Sequence, residues 1–85
     1  MAKYTVSLSH RAERQLDKLS EKLALPIINA IAKLAANPRP NGCKKLKGRE
    51  GYRIRVGDYR IIYTIGDFML VIVVIDLGHR KDVYR

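Results

Sequence analysis

The segment Asn37-Pro38-Arg39-Pro40-Asn41-Gly42 cuts the chain into two halves with different hydrophobic periods. Two prolines and a glycine within six residues cannot continue a helix. Each proline lacks a backbone N–H, and the residue before it is pushed out of the helical region. From Ala12 to Leu34 apolar residues recur every three or four positions; from Tyr52 onward they recur every second position, the spacing of strands. A chain divided this way packs helices from its first half against a sheet from its second, an α+β arrangement.

Residues 3–8 alternate, with Tyr4, Val6 and Leu8 on one face, and predict a half-buried strand. Ser9 is a suitable N-cap, because its hydroxyl can accept from an early backbone N–H. Ala12, Leu16 and Leu19 then predict a first helix running to about residue 19. Ser20 caps a second helix with Leu23, Ile27, Ile31 and Leu34 as its buried stripe. Pro26 requires that this helix kink there or begin near Leu25.

Beyond the break, Tyr52, Ile54 and Val56 point one way and Arg53 and Arg55 the other. Gly57-Asp58 predicts a tight hairpin, residues 59–65 a return strand, Gly66-Asp67 a turn, and residues 68–77 an apolar central strand ended by Gly78. The tail 79–85 would then turn across the open face. The expected fold is a single α+β domain, 1–85: an N-terminal strand and two helices packed on one face of a mainly antiparallel four-stranded sheet.

Charge narrows the partners. The chain carries a formal net charge of +9 over 85 residues, enough to repel itself and attract polyanions. Up to Pro38 the cations are interleaved with Glu13, Asp17 and Glu21, whereas residues 39–60 hold eight cations against Glu50 and Asp58. That asymmetry favours a phosphate-binding face, and nucleic acid as the polyanion. Lys44, Lys45, Lys47 and Arg49 are candidate contacts to RNA backbone phosphates, low in sequence specificity. Cys43 is the only cysteine, which rules out an internal disulfide and fits a reducing compartment. No metal cluster can be assembled from one cysteine and two histidines, and no cofactor is expected. The start lacks the apolar core of a signal peptide, and the run 68–75 is far shorter than the ~20 residues that span a bilayer. A soluble cytoplasmic protein with no membrane partner is expected.

The chemistry these residues suit is phosphodiester cleavage. RNA can be cut by activating its own 2′-hydroxyl against the adjacent phosphorus, given a proton acceptor, positive charge on the phosphate oxygens and a proton donor at the leaving oxygen. Arg53 and Arg55 share one strand face and can reach one phosphate; Arg60 follows the turn beside Tyr59. In the tail, Arg80 suits phosphate clamping, since its charge is permanent. His79 ionises near neutrality and is the natural proton carrier. Tyr84 can stack on a base or donate a proton. His10, at the start of the first helix, has no assigned role.

The segments Leu46-Lys47-Gly48, Tyr52-Arg53-Ile54-Arg55-Val56-Gly57-Asp58-Tyr59-Arg60-Ile61-Ile62-Tyr63 and Gly78-His79-Arg80-Lys81-Asp82-Val83-Tyr84, with Asn37-Pro38-Arg39-Pro40 before them, resemble the RelE/ParE superfamily of bacterial toxins. The resemblance covers nearly the whole chain. It implies a compact α/β fold and a cognate antitoxin with an acidic or amphipathic segment, bound in a hetero-oligomer. The RelE branch implies a ribosome-dependent mRNA endonuclease acting at the ribosomal A site, with its catalytic set on Arg53, Arg55, Arg60, Arg80 and Tyr84. Arg53 and Arg55 stand where the best-known RelE pattern has lysines. A lysine can give up its proton to act as a base and an arginine practically cannot, which leaves proton transfer to His79 or Tyr84. The ParE branch implies inhibition of DNA gyrase without nuclease chemistry, and a tail retaining Arg80 and Tyr84 argues against it. The third alternative is a basic RNA-binding module without catalysis.

Overall fold

A computed structural model describes residues 3–79. It contains β1 (Thr5–Leu8), α1 (His10–Asp17), α2 (Glu21–Leu34), β2 (Lys44–Lys45), β3 (Tyr52–Val56), β4 (Tyr59–Gly66) and β5 (Val71–His79). Both predicted caps form. Ser9 Oγ accepts from the Ala12 N–H at 3.0 Å and Ser20 Oγ from the Leu23 N–H at 3.4 Å. Each occupies one of the four N–H groups that a helix start leaves without an intrahelical acceptor. α2 starts at Glu21, not near Leu25, and carries Pro26 within it, on an exposed side.

The strands form one sheet in the order β1-β5-β4-β3-β2. The β1–β5 pairing is parallel and the others antiparallel. Five strands replace the expected four, because Lys44 and Lys45 add a two-residue edge strand opposite Arg53 and Tyr52. A pair of lysines has no hydrophobic alternation from which to read it. The third hairpin also differs from expectation. Phe68, Met69 and Leu70 do not begin the strand; they lie in the turn before it, with Leu70 at φ 56° and Phe68 98% exposed. Gly78 does not end β5, which continues through it to His79.

One face of the sheet holds the core. Ile54, Ile61, Tyr63, Ile72, Val74 and Leu77 are buried against Ala12 of α1 and Ile27, Ile31 and Leu34 of α2. Each such aliphatic side chain contributes about 1.5–3 kcal/mol through burial. Leu23, expected in the α2 stripe, is instead exposed.

β5 contains a bulge that decides which groups share a face. Val74 pairs with Tyr63 and Asp76 with Ile62, so Ile75 has no partner in the ladder. Such an extra residue reverses the in–out alternation beyond it. Ile72 and Val74 point into the core before the bulge; after it Leu77 does, with His79 on the same side of the sheet, while Asp76 and Gly78 face the other side.

β1 ends at Leu8 opposite Val74, which leaves the rest of β5 without a strand on that side. α1 takes its place. The Ser9 N–H donates to the Val74 carbonyl and its hydroxyl to the Ile75 carbonyl, each at 2.8 Å. The Leu77 N–H donates to Gln15 Oε1 at 2.7 Å. Backbone groups of a buried strand edge are thus satisfied by side chains.

Candidate functional site

The sheet face away from the helices collects the cations of the middle hairpin. Residues paired across strands share a face, with Cβ atoms about 4.5–5.5 Å apart. Arg55 stands directly opposite Arg60, which stands opposite Gly78. One pair along, Lys44, Arg53, Ile62 and Asp76 form a second row. Lys44, Arg53, Arg55 and Arg60 therefore lie on one face across three strands. Arg60 is only 7% exposed, and the Arg53 Nε is buried with no hydrogen-bond partner among the described residues.

Two like charges placed directly opposite destabilise a sheet. Among the described residues no carboxylate forms an ion pair with Arg53 or Arg55. Gly78 places no side chain opposite Arg60 on the β5 side. The arrangement can hold a phosphate, because planar guanidinium groups offer paired donors to its oxygens.

Of the expected site residues, Arg53, Arg55, Arg60 and Lys44 come together. Lys45 pairs with Tyr52 and belongs to the other side. Lys47 and Arg49 lie exposed in the bend between β2 and β3. Arg80 and Tyr84 fall outside the described residues. His79 is not brought to the arginines. It pairs with Tyr59, and the two rings meet edge to face at 5.5 Å on the helix side of the sheet. There they line a cavity of about 370 Å³ with Lys22, Leu23, Pro26, Val56, Gly57 and Asp58. The Ile75 bulge is the reason: without it His79 would have faced the arginines.

Asp76 is the residue of this face that the sequence did not single out. It receives Gln15 Nε2 at 2.7 Å and Arg11 Nε at 3.3 Å, so its charge is directed toward α1. Among the described residues no three of His, Cys, Asp and Glu are grouped so as to hold a metal ion.

A different arrangement occupies the opposite end. Arg39 donates to both carboxylate oxygens of Asp67, at 3.3 and 2.9 Å, and lies 5.1 Å from the Tyr52 ring centroid. Asp67 also accepts from the Tyr4 hydroxyl at 2.7 Å. Hydrogen bonds from Arg39, then Tyr4, hold the Asp67 carboxyl below its usual range. Tyr63 donates to the Pro38 carbonyl at 2.7 Å, and burial pushes its phenol well above the ordinary value. Arg39, counted in sequence among the phosphate-seeking cations, is here a structural tie.

The fold recurs in known proteins. Toxin RelG of Mycobacterium tuberculosis is 31% identical, over 96% of this chain and 97% of RelG. A chain of the toxin–antitoxin complex RelBE2 from Mycobacterium tuberculosis superposes with a TM-score of 0.82 at 29% identity, covering 96% of this chain and 97% of that one. A chain of the archaeal RelE–RelB complex from Pyrococcus horikoshii gives 0.82 at 27%, over 92% and 96%. The likeness defines a toxin fold of the RelE/ParE class. More narrowly, residues 6–84 match the family model for the ParE toxin of type II toxin–antitoxin systems, and the chain belongs to that family.

Proposed function

We propose that this toxin is an mRNA endonuclease that cuts within the ribosomal A site. The observation that carries the reading is Arg55 set directly against Arg60, with Arg53 and Lys44 in the adjacent row. Guanidinium groups set across one strand pair offer the converging paired donors that phosphate oxygens take. In the proposed step the 2′-oxygen of RNA bonds to the adjacent phosphorus and the P–O5′ bond breaks, leaving a 2′,3′-cyclic phosphate and a 5′-hydroxyl. Arg53, Arg55 and Arg60 hold the non-bridging oxygens and offset the charge gathering there, so that no metal is needed for that role. Arg80 adds to the clamp. Tyr84 serves the base or the proton transfer, because the arginines keep their protons and His79 faces the helix side.

The test is a short mRNA on purified ribosomes, with product ends mapped. Wild type should give cyclic-phosphate ends and Arg80→Ala should not; a wild type that leaves the mRNA whole removes the proposal. The match to the ParE toxin model favours a second reading, inhibition of DNA gyrase, and loss of supercoiling activity at stoichiometric toxin would establish it. A non-catalytic RNA-binding role would show salt-dependent binding with no new ends.

We also infer a cognate antitoxin, as the RelBE2 and RelE–RelB neighbours are complexes. Its contact segment would be acidic or amphipathic, to meet the +9 charge and exposed apolar residues such as Leu25 and Ile28. Among the described residues no helix is long and apolar enough to cross a membrane, and ribosomal action would place the toxin in the cytoplasm.

A further inference from the structure

We propose that the outer face of α1 is a second RNA-backbone surface, formed by Arg11, Arg14, Gln15 and Lys18 and separate from the arginine face of the sheet. In sequence these residues alternate with acids, which suggests an ordinary solvated helix. The helix sorts them. At about 100° per residue, Arg11, Arg14, Gln15 and Lys18 fall within an arc of about 100°, while Glu13 and Asp17 lie more than about 100° from its middle. The spacing i, i+3, i+4, i+7 places neighbours about 5–6 Å apart, comparable with successive phosphates along a strand. The same four residues line a shallow hollow of about 360 Å³.

One observation favours phosphates over an acidic protein, and two more show that the cations are available. Among the described residues no apolar side chain lines the hollow, and protein interfaces depend on apolar or aromatic anchors at their centre. Among the described residues, Arg14 and Lys18 form no ion pair. Arg11 is fixed through its Nε to Asp76, yet 70% of its side chain remains exposed, so its outer N–H groups are directed by the sheet and still accessible. Asp76 lies in the same row as Arg53 and Lys44. An RNA strand on the arginine face could therefore pass the sheet margin onto α1.

The experiment is fluorescence anisotropy with a labelled, mixed-sequence RNA whose 2′-O-methyl groups prevent cutting, titrated across a salt series. Removing two phosphate contacts with R14Q/K18Q should lower the slope of log K against log salt by about 1.4 and weaken binding at low salt by on the order of tenfold. The charge-preserving R14K/K18R should retain both, and all forms should melt together. An unchanged slope for R14Q/K18Q overturns the proposal. So does a loss confined to poly-glutamate, which would assign the surface to an acidic protein. The outcome is separable from the nuclease reading: a protein that cuts no mRNA can still lose RNA affinity with R14Q/K18Q, and one that cuts can show none of this dependence.

Discussion

Arg39, in the linker between α2 and β2, and Arg55, on β3, stand under opposite conditions. Arg39 is held by a carboxylate that takes two of its hydrogen bonds, and it lies over the Tyr52 ring. Arg55 faces Arg60 across the strand pair. The first geometry is what folding selects: opposite charges, donors matched to acceptors, and a linker tied to the β4–β5 turn. The second sets two like charges across one strand pair, a contact that by itself costs stability, and the proposed phosphate clamp is centred on it.

The comparison yields predictions in decreasing order of effect. Arg55→Ala should lower ribosomal mRNA cleavage by about 10²–10³-fold, as expected for one charge-stabilising donor; rates within a factor of three of wild type would make Arg55 merely a surface cation. At the tied end, Tyr63→Phe removes the bond to Pro38 and should cost about 1 kcal/mol. For a domain of this size that is roughly 4–8 °C in the thermal midpoint, with cleavage unaffected; calorimetry showing no shift would mean the linker needs no such tie. Arg55→Ala should also melt no lower than wild type, because Arg55 forms no ion pair among the described residues. A clear loss of stability would show that the arginine pair serves folding after all.

The smallest effect concerns acid. The Asp67 carboxyl is held below its ordinary value in the folded state, so protonation favours the unfolded chain. Its contribution is complete above about pH 4 and is lost as pH falls through the lowered folded value. Melting curves from neutral pH to about pH 2 should therefore decline less steeply for Asp67→Asn than for wild type. Parallel curves would remove the carboxylate from the acid response.

Much of this was legible where sequence carries a local signal. Ser9 and Ser20 announced their helices through capping chemistry, and the alternation of residues 52–56 correctly placed Arg53 and Arg55 together. The apolar run was not readable in the same way. Residues 71–75 show no alternation, so nothing in them marked the bulge at Ile75, and Phe68 to Leu70 looked like strand because hydrophobicity alone does not distinguish a buried run from an exposed turn. The parallel β1–β5 pairing joins residues more than sixty positions apart and depends on packing, not propensity. His79 was grouped with the arginines as the proton carrier, and the bulge at Ile75 that sets it on the helix side leaves no mark in the sequence.

The unpartnered Ile75 also makes the chemistry of this strand a matter of register. Excising Ile75 would leave Leu77 and His79 on the helix side, whereas closing the bulge with Ile75 kept in the ladder would turn Leu77 and His79 outward and Asp76 and Gly78 inward. An imidazole would then join the guanidinium cluster while the core lost a leucine and gained a carboxylate. Counting residues modulo two, rather than identifying them, tells which chemistry such a C-terminal strand displays.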